Sequence, residues 1–180
     1  DLEVVGDANK RFQLATGAKV RVVGDADEAA KVWGVSVDKV DFQPLGVPYY
    51  SALTSIDIAV VPLADTTFNR GKSWLKAMEF SMMGVPVIAS PTPANEQLHR
   101  AVGSEWVQLA ATPKEWYSKL ISTSIAINFR RIADQPRPEM DTSVVAGLTM
   151  EANVGAWKSA WERALNRAAK RRLSMMAGRV

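Results

Sequence analysis

Residues 56–80 read IDIAVVPLADTTFNRGKSWLKAMEF, which is an apolar run followed by a polar loop and a segment with helical period. The run at 56–63 is rich in Val and Ile. A short continuous run of this kind is typical of a strand buried on both faces of a parallel sheet. The loop that follows is dense in hydrogen-bonding groups and leads directly into the helix. This succession predicts one strand-loop-helix unit of an α/β fold.

The same alternation extends over most of the chain. Apolar runs predict further strands at residues 19–24, 40–44 and 86–90, and a weaker one at 106–110. Segments with helical period lie near residues 4–16, 27–33, 49–54, 73–83, 95–101 and 114–129. Crossovers this short favour the right-handed, doubly wound arrangement. We therefore predict a Rossmann-like, doubly wound parallel sheet for residues 1–132.

Composition excludes several classes of protein. A chain of 180 residues with 47% hydrophobic and 23% charged residues is typical of a globular domain rather than a disordered or fibrous one. The absence of cysteine excludes disulfides, thiolate metal sites and a cysteine nucleophile, and the single histidine, His99, argues against zinc. No apolar run approaches the ~20 residues that span a bilayer, and the N-terminus has no export signal. We expect a cytoplasmic protein that needs no metal or cofactor.

The C-terminal part has a different character. Residues 133–149, with QPRP at 135–138, interrupt the pattern and are assigned to a linker or loop. A helix follows at 150–172, and its apolar residues recur every three or four positions. They are Val154, Trp157, Trp161, Leu165 and Ala168. This amphipathic helix needs a surface that covers its two tryptophans, and residues 173–180 form a basic tail.

The net charge of +3 conceals a strong asymmetry. Residues 158–180 hold seven basic side chains against the single acid Glu162, so this end carries +6 and the rest of the chain −3. A basic end can meet nucleic acid, anionic lipid or an acidic partner, although a solvated helix face has the same composition. No helix-turn-helix, zinc-finger or RNA-binding pattern accompanies the charge, so nucleic acid is not an expected partner.

The loop after the first predicted strand is a candidate ligand site. In open α/β sheets, ligands bind beyond the carboxyl ends of the strands, where helix N-termini present free N–H groups to anions. Gly24 would let the backbone approach a ligand closely, and Asp25 follows it. The alternative is a simple turn in which Asp27 caps the next helix.

The loop at 64–72 is the most informative segment for function. Arg70 and Lys72 place two cations beside a helix N-terminus, which is a plausible cradle for a diphosphate. Asn69 adds hydrogen-bonding capacity, and Ser73 can cap the helix or donate its hydroxyl to phosphate. The alternative is a long solvated loop, although long ordered loops in compact domains are often functional.

Two further positions complete the predicted site. Glu79 lies on the helix after this loop among apolar neighbours, and a carboxylate can accept both hydroxyls of a ribose; an exposed helix position is the alternative. Ser90 and Thr92 follow another strand and can hold phosphate or sugar. His99 lies nearby in sequence, but with no triad partner it is interpreted as an ordinary residue. Neither a Walker loop nor the usual dinucleotide fingerprint is present.

Taken together, four segments resemble the C-terminal, donor-binding domain of a GT-B fold glycosyltransferase of group 1, the retaining type. They are IDIAVVPL at 56–63, FNRGKS at 68–73, KAMEF at 76–80 and GVPVIAS at 84–90. The resemblance extends over residues 19–109, and its most specific part is a glutamate-bearing helix that ends in Gly-x-Pro before a short apolar strand. It implies that the chain binds a nucleotide-sugar, that Glu79 holds the ribose, and that Ser90 and Thr92 lie near the donor.

The resemblance further implies a sugar transfer to an acceptor held by another domain. The helix at 150–172 is similar to the one that crosses back to the acceptor domain in such enzymes, so an N-terminal acceptor domain would cover Trp157 and Trp161. The chain departs from the pattern at Gly71, where retaining members often carry a second glutamate. It also starts beyond the usual first strand, so the customary Arg and Lys pair for the diphosphate is absent or replaced. The fragment alone is therefore expected to be inactive.

Two other interpretations remain open at this point. A non-catalytic α/β module could bind a nucleotide or a phosphorylated ligand, or serve as a partner surface through its basic helix. A receiver-like phosphorylation domain would use acids such as Asp25, Asp27 and Asp65, but Asp57 begins its strand instead of ending it, which disfavours this class.

Overall fold

The computed structural model describes residues 1–23, 25–40 and 46–177, with side chains described as far as residue 168. It divides into two compact units, Asp1–Asp141 and Thr142–Val180. The first unit contains every described strand and the predicted site loops, and the second contains the long C-terminal helix. Each unit is considered by itself below.

Among its described residues, the first unit contains five short parallel strands in two sheets. Strands β1 (Val20–Val23) and β2 (Val37–Val40) pair in parallel, with Val20 opposite Val37. Strands β3 (Ala59–Val61), β4 (Val87–Ala89) and β5 (Val107–Leu109) form the other sheet in the order β3-β4-β5. All pairs are parallel and joined by helices, so the predicted α/β class is confirmed.

Strand β2 begins earlier than the sequence predicted. The prediction at 40–44 overlaps β2 only at Val40, and residues 41–44 lie outside the described part of the chain. The reason is that β2 reads Val-Asp-Lys-Val, with Asp38 and Lys39 exposed, whereas the prediction relied on continuous apolar runs. Because successive side chains of a strand point to opposite faces, each face of β2 carries one valine and one charged residue.

Helices connect the strands and cover the sheets. The first unit contains α1 to α7, preceded by a 3₁₀ turn at Leu2–Val5, and the second contains another 3₁₀ segment at Thr142–Leu148 followed by α8. Their bounds are α1 Ala8–Thr16, α2 Ala26–Trp33, α3 Val47–Thr54, α4 Thr67–Arg70, α5 Leu75–Met82, α6 Pro93–Val102, α7 Pro113–Ile132 and α8 Met150–Ala177. None of the helices within the described residues combines the length and apolarity needed to cross a bilayer.

The core of the first unit joins both sheets. Val5, Phe12, Trp33, Ile88 and Trp116 belong to one buried cluster that draws on α1, α2, β4 and α7. Partly buried side chains from β1 and β3 pack against the same cluster. The two sheets therefore share one core, although no hydrogen-bonded ladder between β1 and β3 links them in the described residues.

The segment after α7 has no regular structure but is tied to the body of the first unit. Arg137 donates to the carbonyl oxygens of Thr54 (2.8 Å) and Ile56 (3.2 Å), and Arg131 pairs with Asp57 at 2.6 Å. These contacts hold residues 133–141 against the amino-terminal end of β3. That edge is opposite the one where ligands bind in open parallel sheets.

The apolar stripe predicted for the C-terminal helix is exposed. Trp157 is 48% exposed, Trp161 73% and Leu165 72%. Lys158 and Arg163 are exposed on the same helix. Large apolar side chains in a row of this kind mark a surface that gains free energy when it is covered.

Candidate functional site

A cleft of about 430 Å³ lies at the carboxyl edge of the three-stranded sheet. Because the ends of parallel strands meet at one edge, the loops after β3, β4 and β5 all reach it. Its walls include three residues from the predicted site, Arg70, Ser90 and Thr92. The other lining residues are Val4, Leu63, Asp65, Pro91, Pro93, Glu96 and Ala111. The structure thus brings the loop at 64–72 and the loop that carries Ser90 and Thr92 together.

Ser90 joins these two loops. Its hydroxyl accepts a hydrogen bond from the backbone N–H of Leu63 (2.8 Å), and its carbonyl accepts one from the Asn95 amide (3.0 Å). Ser90 and Asn95 are 4% and 1% exposed, so these bonds replace hydration that burial removes. Ser90 therefore shapes the cleft, and its hydroxyl still has a proton to donate.

Thr92 begins α6 and caps it. Its hydroxyl accepts from the backbone N–H of Asn95 (3.3 Å), and Pro93 follows at the first helical position. Both choices suit a helix start, because the proline lacks an N–H that would otherwise be unpaired. The N-terminus of α6, a ten-residue helix, opens into the cleft at Pro93 and Glu96.

Removing this cap tests whether Thr92 is structural. We expect Thr92→Ala to lower the free energy of unfolding by about 1 kcal/mol, because an uncapped helix leaves backbone donors unpaired. Thr92→Ser should keep most of that stability. Urea unfolding of both variants measures it. Equal stability of the alanine variant and the parent protein would contradict the capping role.

The two cations predicted to hold a diphosphate are both ion-paired. Arg70 forms a two-point pair with Asp65, with distances of 2.6 and 2.8 Å, which lowers the pKa of Asp65 and raises that of Arg70. Lys72 lies 3.4 Å from Asp1 and over the ring of Phe68. Both pairs are partly or largely exposed, so their attraction is weakened by solvent and either cation can be shared with an anion.

Asn69 has a structural role. It is 4% exposed, and its amide donates to the Ala64 carbonyl (2.9 Å) and to the Asp1 carboxylate (2.5 Å). Asp1 also accepts from the Ala64 backbone N–H (2.9 Å). These bonds close the turn between β3 and α4, so the Asn69 amide orders the loop that carries Arg70.

Ser73 does not cap α5. The helix begins at Leu75 after Trp74, which makes no side-chain capping bond, so the predicted cap is wrong. The loop turns through the short helix α4 first, capped by Thr66, and this moves the start of α5 two residues along the chain. Ser73 is exposed beside that start.

Glu79 lies in a separate hydrogen-bonded cluster. Its Oε2 accepts from the Tyr49 hydroxyl (2.7 Å) and from Lys76 (3.0 Å), and Lys76 also donates to Tyr49 (2.6 Å). The Glu79 side chain is 16% exposed, which differs from the exposed-position alternative. Glu79 is not among the described residues that line the cleft.

The surroundings raise the pKa of both Tyr49 and Lys76. Burial raises the pKa of Tyr49, and the Glu79 carboxylate adds to the rise while Lys76 opposes it. Burial works against the charged form of Lys76, but hydrogen bonds to Tyr49 and Glu79 outweigh it and raise the pKa of Lys76. Around neutral pH the cluster therefore holds a neutral phenol and an ammonium ion.

The remaining candidates have ordinary roles or are not described. Asp25, not Asp27, caps α2, because its carboxylate accepts from the backbone N–H of Glu28 (3.0 Å). Gly24 lies outside the described residues. His99 donates from Nδ1 to the Val107 carbonyl (2.6 Å) and is engaged within the fold. Among the described residues, no three metal-binding side chains cluster.

Sequence reasoning missed several partners of the predicted residues, and Asp1, which bonds to Asn69 and Lys72, is one of them. Asp65 could have been found, since an acid five residues before Arg70 in one loop is within reach. Lys76 could also have been found, three residues before Glu79 on a helix. Tyr49 is 30 residues from Glu79 and carries no local signal.

Comparisons with known proteins do not identify the chain further. No known protein family, no curated protein and no solved structure matches it. The resemblance to glycosyltransferases therefore depends on the sequence segments quoted above. The geometry of the cleft and of the Glu79 cluster is the independent basis for a functional proposal.

Proposed function

We propose that this chain is the donor-binding part of a GT-B glycosyltransferase, which transfers a sugar from a nucleoside-diphosphate-sugar to an acceptor. The observation that carries the proposal is the cleft at the carboxyl edge of a parallel sheet, with Arg70 and the start of α6 in its wall. A cation beside a helix N-terminus favours a diphosphate. We also assign Asn69, Lys72, Ser73, Asp25 and Gly24 to the proposed donor site on the sequence grounds given above, although Gly24 lies outside the described residues.

The strand order supports a doubly wound sheet. In the common Rossmann order 3-2-1-4-5-6, the first strand lies between two groups of neighbours. The observed pairs, β2-β1 and β3-β4-β5, have the order of those two groups, and both pack on one core. We propose that the two sheets are halves of such a sheet, with room for a central strand between β1 and β3.

The proposed chemistry needs positioning and charge stabilisation more than a reactive side chain. The bond between the anomeric carbon and the diphosphate oxygen breaks, and a new bond forms between that carbon and the acceptor oxygen. The proton of the acceptor hydroxyl passes to the oxygen of the departing diphosphate, which is the leaving group. Arg70, Lys72 and helix N–H groups would stabilise the negative charge that grows on the departing diphosphate. No metal is required for that role.

The exposed stripe on α8 supports a second domain as partner. Trp157 and Trp161 form the centre of an apolar row that is exposed in the part of the chain that the structure describes. We propose that the acceptor-binding domain packs on these tryptophans. Covering the exposed parts of these two rings removes apolar surface from water, which stabilises the contact between the two domains.

Calorimetric titration with a panel of nucleoside diphosphates tests the proposed function. We expect the 180-residue chain to bind at least one of them and Glu79→Ala to lower that affinity about tenfold or more, because a carboxylate-hydroxyl bond is lost. Glu162→Ala, which removes an exposed carboxylate from α8, should leave the affinity unchanged. Absence of binding by the whole panel, or binding unaffected by Glu79→Ala, would contradict the proposal.

A further inference from the structure

Tyr49, Lys76 and Glu79 form a closed triangle of hydrogen bonds. The three sides are 2.7 Å between Tyr49 Oη and Glu79 Oε2, 3.0 Å between Lys76 Nζ and the same oxygen, and 2.6 Å between Lys76 Nζ and Tyr49 Oη. The Lys76 ammonium also lies 5.0 Å from the centre of the Tyr49 ring. Both donors therefore meet the carboxylate at one oxygen.

This arrangement is asymmetric at the carboxylate. A carboxylate oxygen has two lone pairs in the plane of the group, and the two donors occupy both of them on Oε2. Oε1 receives no donor from the described residues. Because the Glu79 side chain is only 16% exposed, its orientation is set by these two partners more than by solvent.

The partners come from different parts of the fold. Lys76 is one turn before Glu79 on α5, whereas Tyr49 is in the first turn of α3. An i,i+3 pair alone allows the carboxylate to rotate, because both side chains are long. The phenol from a second helix restricts that rotation, so the position of α3 determines where Oε1 points.

We propose that Tyr49 and Lys76 are positioning residues that hold Glu79 by Oε2, so that Oε1 alone accepts from the donor ribose. This inference rests on the proposed function, since it needs Glu79 to bind a nucleotide. It replaces the expectation that the carboxylate accepts both ribose hydroxyls on separate oxygens. Only one ribose hydroxyl, 2′ or 3′, then donates a hydrogen bond to Glu79.

The test compares ribose with deoxyribose ligands. The probes are uridine diphosphate, or the ribonucleoside diphosphate that binds the parent chain most tightly, together with its 2′-deoxy and 3′-deoxy forms. We expect the parent chain to bind one deoxy form about tenfold more weakly than the ribonucleotide, because one hydrogen bond to a charged acceptor is lost. The other deoxy form should bind nearly as well as the ribonucleotide.

The variants then separate positioning from other roles. Tyr49→Phe and Lys76→Gln should each weaken binding of the ribonucleotide severalfold and reduce the difference between the two deoxy forms. Lys76→Arg, which keeps the charge and donors, should restore most of that difference. Tyr49→Phe removes only the hydroxyl group and keeps the ring. The circular dichroism spectrum of this variant should therefore match that of the parent chain.

Each other outcome decides against a stated claim. Equal losses for both deoxy forms in the parent chain would overturn the single-oxygen arrangement. Variants that weaken binding of all three ligands equally would show that Tyr49 and Lys76 act on the phosphates or on the fold. Variants that weaken none of them would show that Tyr49 and Lys76 do not position Glu79 for binding. If Glu79→Ala abolishes the ribose preference while Tyr49→Phe keeps it, only the positioning inference fails. If the parent chain binds no probe, the proposed function fails with it.

Discussion

Gly84→Ala is expected to lower the free energy of unfolding by about 3 kcal/mol. Gly84 has φ +72°, in the left-handed region, where an alanine costs about 1–2 kcal/mol. An added Cβ would also lie 2.6 Å from the Pro138 carbonyl oxygen, a backbone atom that can move away only with its segment. Relieving such an overlap costs about 1–3 kcal/mol more.

The reason for glycine here is the way α5 ends. The N–H of Val85 bonds to the Phe80 carbonyl and that of Gly84 to the Ser81 carbonyl, both at 3.0 Å, which is the Schellman pattern. That pattern turns the chain sharply into β4. It also allows the segment with Arg137 and Pro138 to approach the helix end closely.

Gly17→Ala is the matched control for this substitution. Gly17 ends α1 with φ +69°, almost the same backbone conformation, but an added Cβ would meet nothing within 4 Å. We expect it to cost about 1 kcal/mol, from the backbone alone. Guanidinium unfolding followed by circular dichroism measures both variants. Equal losses for Gly84→Ala and Gly17→Ala would show that the segment at Pro138 gives way freely.

Trp116→Ala should lower the free energy of unfolding by about 4 kcal/mol, because it removes a fully buried ring from the shared core. Trp116→Phe should lower the free energy of unfolding by much less than the lost side-chain volume suggests. The indole Nε1 of Trp116 is buried without a hydrogen-bond partner among the described residues, so it carries a desolvation cost that phenylalanine avoids.

Trp161→Ala is the control for the loss of a tryptophan. Its side chain is 73% exposed on α8, so in the 180-residue chain the substitution should change the free energy of unfolding by less than about 0.5 kcal/mol. Urea unfolding of the three variants checks these values. If Trp116→Phe costs as much as Trp116→Ala, the indole N–H has a bonding partner, such as a buried water, that phenylalanine cannot replace.

Much of the fold could be predicted because its signals are local. The runs of Val and Ile around β3 and β4 and the helical period of α5 each depend on neighbours within one segment. The strand β2 was misplaced because its charged residues reflect partial exposure, which depends on the rest of the sheet. The start of α5 was misplaced because α4 formed within the loop before it.

The candidate site was predictable as positions but not as contacts. Ser90, Thr92 and Arg70 follow strands at one sheet edge, so their meeting in one cleft follows from parallel topology. Ser90 links two loops, Thr92 caps a helix and Arg70 pairs with an acid. Each of these roles depends on differences of a few tenths of an ångström in the distance between two atoms. Such distances are set by how whole elements pack, and a sequence pattern does not contain them.

The sequence by itself determined the α/β class and the position of Glu79 on a helix that follows a strand and a loop, because each is a property of a short segment and its period. Only the tertiary structure decided that both predicted cations are paired with acids and that Tyr49 bonds to Glu79. Tyr49 and Glu79 are 30 residues apart, and their hydrogen bond depends on where the fold places α3 relative to α5. The orientation of the Glu79 carboxylate therefore depends on a local partner, Lys76, and on a distant one, Tyr49, which only the folded chain brings within reach.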